Sequence, residues 1–470
     1  MSVETHPDTT AQNQTFDPTR CNPAELREAQ DRNFRRQMQL VFAAHPYYQA
    51  SLEQAHLKPE DFQGLDDLEK LPLTYKTDYM KNPLAFRLNP LPDMTPHERI
   101  IWDLSYTTGT TSGVPTPFYN TTYDYFGILH SLKKLCEITD IRATDCVMNL
   151  FPLTPVPHIG FLRTRDYATV VGASVVSALT GTPFATFPVH NSMDHAIKMI
   201  EQHRATVLSG IVSYVRRVVM RAEELGADFS SVRLASALGE PCPRGMREDM
   251  RRRLRNLGAK GDLMIGNALG FTEMQGSTGE CVELGGGHNP APDRFFFEVV
   301  DEQTGKRLAD GERGLFVVTH LDRRGTVLLR YVLGDICAIS NEACPHCGRI
   351  GQRVISNVIR TKELVKLKGT LVNPDVMKEA IATIDGIDEY QIIFTKENLE
   401  DPYSLDKLVV RIATSTHEAA REQLVEALRQ RMQEAAEMRP VIEFAQMSEI
   451  FDPSKTLKST RVIDLRPVEE

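Results

Sequence analysis

The sequence predicts an α/β protein: a large N-terminal domain of sheets and helices, followed by a small α+β domain at the C-terminus. Three observations carry this. Between Val147 and Val300 short β-branched runs alternate with amphipathic segments, the pattern of sheets joined by crossover helices. Near Arg360 the chain turns charged and extended, and about a hundred residues of mixed helix and strand follow, an ordinary size for a separate domain. The chain has 470 residues, 41% hydrophobic and 25% charged, which suits a soluble globular protein with more than one domain.

Residues 1 to about 22 read as a disordered tail, 23–360 as the large domain and 361–470 as the small one. The tail is followed by a helix over Pro23–His45, with Leu26, Phe34, Met38, Leu40 and Val41 near one face, and Pro46 stops it. Prolines at 59 and 72 punctuate a short helical region. A polar loop over Ser105–Tyr119 precedes a helix over Tyr123–Ile138. Strands are expected at Cys146–Phe151, Ser174–Leu179, Ala205–Ser209 and Val232–Leu238, with a helix over Ser213–Leu225 among them. Phe295–Val300 and Gly314–His320 read as later, antiparallel strands. In the small domain helices are expected over Pro374–Ile384 and Thr416–Ala436, and strands over Glu389–Phe394, Lys407–Ile412 and Pro440–Phe444.

The net charge of −9 argues against a general nucleic-acid or anionic-membrane binder, while leaving room for a local basic pocket. Residues 1–20 are polar and lack the apolar core of a signal peptide. The weakly polar run from Ala168 to Val189 is broken by Ser, Thr, Gly and two prolines, so it reads as helix-turn-strand rather than a membrane span. Eight cysteines in so long a chain do not make a disulfide scaffold. A cytoplasmic setting is the simplest.

The Ser105–Tyr119 loop holds five threonines, two serines and two glycines, with no charge. Hydroxyls and successive backbone amides can donate to an anion, so such a loop can wrap a polyphosphate. It is not the common nucleotide P-loop, because no Gly-Lys-Ser/Thr follows Gly109 at the required spacing. Alone, it reads as a solvated turn. Further elements follow it in order. Phe151–Gly160 is an apolar turn carrying His158. Ala237-Leu-Gly-Glu-Pro241 follows a strand. Asn267–Glu273 places a carboxylate behind a Gly turn, Leu329–Asp335 ends a strand with an acid, and Lys458 and Arg461 sit near the C-terminus. Singly, these too have plain readings: a surface lysine, a helix-start acid for Glu273, a turn cap for Asp335, a core or loop histidine for His158.

Their joint order resembles the adenylate-forming (AMP-binding) superfamily and, within it, the phenylacetate–coenzyme A ligase-like family. The resemblance spans nearly the whole chain, from the first helix and Pro46-Tyr-Tyr48 to the terminal lysine. It implies a large domain with a small C-terminal lid, and two reactions. ATP first activates a carboxylic acid to an acyl-adenylate, and the thiol of coenzyme A then takes the acyl group. By this resemblance Thr107, Thr108, Gly109, Thr110, Thr111, Ser112 and Gly113 hold the β- and γ-phosphates. Glu273 binds magnesium. Asp335 accepts from the ribose hydroxyls, and Arg360 contacts ribose or phosphate. Glu240, Pro241, Ala268, Leu269, Gly270 and Thr272 line the nucleotide. The acyl pocket lies among His158, Phe161, Ala237, Leu238, Gly239 and Phe271. Lys458 reaches the reacting groups from the lid, which turns about Lys362 and brings Lys366-Leu-Lys-Gly369 in for the second step.

The chain departs from the family's pattern in places. Ser112 lengthens the phosphate loop by one residue, Leu269 stands where an aromatic is common, and Leu333 and Ile359 replace the usual neighbours of Asp335 and Arg360. These leave room for a specialised subfamily. Cys344 and Cys347, in Cys-Pro-His-Cys, are half of a tetrahedral zinc site; Cys281 and His288 would complete it, with His346 a competing ligand and a redox dithiol the alternative. Related ligases carry Cys-rich segments at both places, which implies a structural zinc. The leading expectation is an ATP- and magnesium-dependent carboxylate–coenzyme A ligase for an aromatic acid such as phenylacetate or a benzoate. Alternatives are an enzyme of the same fold that serves a carrier-protein thiol or a nitrogen nucleophile, and an inactive, zinc-stabilised binding protein. The partner expected is a small carboxylic acid, with neither nucleic acid nor membrane; family analogy adds a homodimer.

Overall fold

The protein's structure, a computed structural model, describes residues 16–106, 116–154, 158–181, 190–356, 358–360, 365–367, 370–372, 374–400, 404–436, 439–452, 456 and 459–466. Five parallel strands form one sheet in the alternating region; four overlap the expected strands, and the fifth, Met264–Ala268, is not among those expected. Their order is Ser174–Ser177, Cys146–Asn149, Val207–Ile211, Leu234–Leu238, Met264–Ala268. Val207–Ile211 is buried throughout, as a central parallel strand covered on both faces should be. The crossovers are the helices Ile159–Val171, Met193–Gln202, Val212–Leu225 and Arg244–Asn256. Val215, Val218 and Val219 of one helix and Met246, Met250 and Leu254 of another pack over Leu208, Ala235 and Ile265. The strand order reverses between Cys146–Asn149 and Val207–Ile211. In open α/β sheets ligands bind outside the carboxyl ends of the strands at such a point.

An antiparallel sheet follows, in the order Phe295–Val300, Gly314–His320, Tyr331–Cys337, Ile359–Arg360. Its aromatic residues Phe295, Phe297 and Phe316 share a core with Phe34, Met38 and Val41 of the first helix, Pro23–Ala44. Asn22 starts that helix with a capping box to Glu25. Here the expected disorder through residue 22 is corrected at its end. Asp17–Cys21 is a turn whose Thr19 is buried, and Asp17 pairs with Lys134 at 2.8 Å. A polar composition concealed this, because the turn is held by ionic and backbone bonds rather than by apolar residues.

The last part of the chain builds its own mixed sheet, ordered Val441–Phe444, Asp406–Ala413, Glu389–Lys396, Val462–Asp464. Helices Pro374–Ala382 and Glu418–Ala436 contribute Met377, Ile381, Leu428 and Met432 to a core with Ile392, Phe394 and Val410. Val462–Asp464, too short to read from periodicity, runs parallel to Glu389–Lys396. Among the described residues no helix is long and apolar enough to cross a membrane.

Candidate active site

The carboxyl edge of the parallel sheet gathers several of the residues singled out for nucleotide and acid. Ala237 and Leu238 end one strand and Ala268 ends its neighbour, paired with Leu238. Gly239 turns the backbone at φ 80°, a conformation that favours glycine. Asn267 Nδ2 then donates to the Ala237 and Glu240 carbonyls at 3.0 and 3.1 Å, so both strand ends are tied together. The Glu240 carboxylate accepts from the Ser213 amide at 2.7 Å, near the start of helix Val212–Leu225. Its side chain therefore serves the helix N-terminus, where negative charge is favoured.

His158 caps the next helix at this edge. Its Nδ1 accepts from the Gly160 amide at 3.1 Å and its ring stacks on Phe151, centroids 5.5 Å apart. Gly160 cannot be larger: a Cβ there would come within 2.5 Å of the Phe151 ring. Phe161 holds the Asn149 side chain through its carbonyl at 3.0 Å. Phe271 differs from the other expected pocket residues. Its ring packs against Phe297 and Phe316 in the aromatic core.

Glu273 lies in the one-turn helix Thr272–Met274 and is buried. Two clamps hold this turn. His320 Nδ1 accepts from the Leu328 amide, so Nε2 carries the proton and donates to the Glu273 carbonyl at 2.9 Å. Burial and nearby Arg323 push this imidazole down to about 3, so it is neutral. Gln275, at φ 59°, is the second clamp. Its Oε1 accepts from Ser105 Oγ at 2.9 Å, Asn120 Nδ2 at 3.0 Å and Arg163 at 3.0 Å. Ser105 and Asn120 lie on the paired strands Ile101–Tyr106 and Pro117–Thr121, which bracket the Ser/Thr/Gly loop. Thr107–Gly113 themselves lie outside the described residues, as do Lys362 and Lys458. Burial, and then the charge of Glu273, raise the Tyr331 hydroxyl above its usual range. A fixed, buried carboxylate is a donor that fits a hard cation such as magnesium.

Asp335 and Arg360 are direct cross-strand partners. The backbone thus brings together an acid and a base that the sequence separates widely. Lys366 and Leu367 stand on a hairpin, Val365–Leu367 with Thr370–Val372; Lys368 and Gly369 lie outside the described residues.

A metal-type cluster stands apart from this crevice. Cys281, His288, Cys344 and Cys347 place one donor atom each within 4.8 Å of one another. Cys281 and Cys344 Sγ are 3.8 Å apart, and His288 Nε2 is 3.4 and 3.6 Å from Cys281 and Cys347 Sγ. A tetrahedron with metal–sulfur bonds of about 2.3 Å has sulfur–sulfur edges of about 3.8 Å. The set fits zinc and offers it four protein ligands. His346, exposed, is not among these four.

Sequence reasoning missed Gln275, His320 and Arg163, whose partners lie far away in the chain. Only Gln275's position just after the Glu273 motif could have drawn attention to it.

A family model for AMP-binding enzymes matches residues 22–320. The phenylacetate-coenzyme A ligase of Thermus thermophilus is 27% identical over 387 residues, 81% of this chain and 81% of that protein. Its namesake in Escherichia coli is 24% identical over 452 residues, 94% and 96% of the two chains. Among solved structures, a 2-hydroxyisobutyryl-CoA ligase in the postadenylation state superposes with a TM-score of 0.78 at 20% identity, covering 99% of this chain and 95% of that one. The same ligase in its thioesterification state gives 0.63 at 22% identity, over 96% and 91%. These structures establish the likeness of fold.

Proposed function

This chain belongs to the AMP-binding enzyme family, and we propose that it is an AMP-forming carboxylate–coenzyme A ligase acting on an aromatic acid of the phenylacetate or benzoate kind. One observation carries the mechanism. The Ser459 amide, adjacent in sequence to Lys458, donates to Ser213 Oγ at 3.4 Å, beside the Glu240 carboxylate at the carboxyl edge of the sheet. Ser459 thus meets the sheet edge at the residue that also holds Glu240, which supports a role for its neighbour Lys458 there. The better superposition on a postadenylation ligase than on a thioesterification one accords with this arrangement.

In the first step a carboxylate oxygen attacks the α-phosphorus of ATP. An acyl–phosphate bond forms, the Pα–O–Pβ bond breaks, and pyrophosphate leaves. Thr107–Gly113 cradle the departing phosphates, and Lys458 offsets charge on the carboxylate and α-phosphate. Asp335 and Arg360 orient the ribose; the Ala237–Pro241 and Ala268–Gly270 backbones, with Thr272, flank the base. Glu273 would hold a magnesium ion, which would supply charge neutralisation for the phosphates. In the second step the thiolate of coenzyme A attacks the acyl carbon and AMP leaves with the electrons of the broken bond. Residues 361–470 act as a lid that turns about Lys362 and presents the Lys366–Gly369 hairpin to the thiol. The aromatic preference rests on the relatives' names. Cys281, His288, Cys344 and Cys347 hold a structural zinc ion.

Carboxylate-dependent ATP–pyrophosphate exchange tests this over a panel of aryl and alkyl acids, with and without coenzyme A. Exchange with an aryl acid and thioester formation on adding coenzyme A are expected; no exchange with any acid overturns the reading. Lys458→Ala should lower exchange by on the order of 100-fold or more and spare thioester formation from supplied acyl-adenylate. Equal loss of both would remove Lys458 from the first step.

A further inference from the structure

We propose that Arg216, on the outer face of helix Val212–Leu225, is a positioning residue for the adenylation step: it locks the C-terminal unit in the orientation that delivers Lys458. The inference rests on the assignment of Lys458 to that step. Its evidence is a chain of contacts leading from the sheet edge to the lysine's neighbour.

Arg216 is buried and touches both parts of the molecule. On its own side it pairs with Asp249 of helix Arg244–Asn256 at 2.9 Å. Across the divide it donates to the Asp388 carbonyl and faces the Glu389 carboxylate at 3.9 Å. Glu389 is buried and gripped from its own side by Arg461, at 3.0 and 3.3 Å through two nitrogens. Burial alone would raise the Glu389 carboxyl, but Arg461 and Arg216 outweigh it and keep it ionised. Arg253 adds a second cross-link, to the Asp388 carboxylate at 3.5 Å.

The grip is transmitted rigidly. Gln391 Nε2 holds the Thr460 carbonyl at 2.9 Å, and the Ile392 amide holds that of Arg461 at 2.8 Å. Residues 459–461 are thereby fixed to the strand that begins at Glu389. Ser213 and Arg216 lie three residues apart, on one face of their helix. They receive Ser459 and Glu389 respectively. A third contact is steric. A Cβ on Gly245 would lie 1.7 Å from the Ala382 carbonyl oxygen of helix Pro374–Ala382. Only a glycine there lets the two backbones meet, although alanine is the better helix former.

Two variants probe this face by unrelated means. Arg216→Met removes the charge that crosses the divide, and Gly245→Ala obstructs docking while favouring its own helix. Both should lower carboxylate-dependent pyrophosphate exchange by on the order of 10- to 100-fold, since a misplacement of about 1 Å can cost that much. Thioester formation from supplied acyl-adenylate and coenzyme A should be unchanged or faster in both, and Arg216→Lys should recover part of the exchange. Equal losses in both half-reactions, or full exchange in Gly245→Ala, would overturn the proposal. Absence of exchange in the wild type with every acid would instead defeat the functional assignment, so the two failures are distinct.

Discussion

Two regions around the crevice are polar and buried, yet they are built differently. Beneath the Ser/Thr/Gly loop, one amide oxygen of Gln275 takes three donors, from Ser105, Asn120 and Arg163, and the Asp103 carboxylate backs the same three at 3.4, 3.2 and 3.7 Å. At the docking face, Arg216 and Arg253 reach acids and carbonyls of the C-terminal unit by a few ionic contacts, with Glu389 already satisfied by Arg461. The first arrangement cannot open without breaking several buried hydrogen bonds at once. The second can open and leave each side with a partner of its own, Asp249 for Arg216 and Arg461 for Glu389. A phosphate cradle should not move, whereas a unit that serves two reactions must.

The sharpest test of this contrast is Gln275→Leu. It removes the shorter acceptor of the Ser105 hydroxyl, the Asn120 amide and one Arg163 nitrogen, which keep only the Asp103 carboxylate at 3.4, 3.2 and 3.7 Å. A loss of about 3 kcal/mol in urea unfolding is expected, about 1 for each weakened bond, with weaker ATP binding because the loop's bracketing strands are loosened. Arg216→Met should cost far less stability, since its partners stay paired. If the two variants were equally destabilised, the distinction between clamp and latch would fail.

The metal cluster belongs to the fixed side. Glu280, just before Cys281, accepts from the Asn267 amide at 2.9 Å and pairs with buried Arg247 of helix Arg244–Asn256 at 2.6 Å. That helix carries Gly245 and Asp249 of the docking face. Cys344→Ser should therefore lose one zinc per chain by elemental analysis. Losing an ion present at 100 times its dissociation constant removes about 2.7 kcal/mol of stability, and both half-reactions should suffer alike. A metal-free wild type would refute the zinc assignment.

How much of this was legible in the sequence differs by the kind of signal. The parallel strand Val207–Ile211 was legible to within two residues, as the expected run Ala205–Ser209, and the cysteines announce themselves by spacing. Asp335 and Arg360 were legible only through the order of motifs, and the strand register then set them opposite each other. Glu240 was legible as a motif residue but not in the task of its side chain, because the Ser213 amide it takes lies 27 residues away. Gln275 and Ser105 meet across 170 residues. Neither has a local pattern, since a buried hydrogen-bond hub is defined by its partners and not by periodicity. The Phe271 ring faced the core for a similar reason: an aromatic beside a site reads the same whether it turns toward the ligand or away.

The smallest expected effect separates the two regions by pH. His320 in the clamp and His45 behind the antiparallel sheet are both buried and neutral, pushed down to about 3 and about 4, each chiefly by burial. Their folded values lie below the unfolded one of about 6.5. As pH falls below that value the unfolded chain takes up protons that the folded chain refuses, so stability declines by about 1.4 kcal/mol per unit for each histidine. The decline should run from pH 6.5 towards 4. His45 Nδ1 caps helix Pro46–Gln54 by accepting from the Tyr48 amide, a task asparagine also performs. His45→Asn should therefore halve the two histidines' contribution to the slope of unfolding free energy against pH. Above about pH 5 the docking face should contribute little, because Glu389 and Asp249, whose carboxyls burial would raise but Arg461 and Arg216 hold down, lose their stabilising share only as pH falls through the unfolded carboxylate range of about 4. A slope unchanged by His45→Asn but reduced by Arg216→Met would mean that the acid-sensitive element is the latch and not the interior.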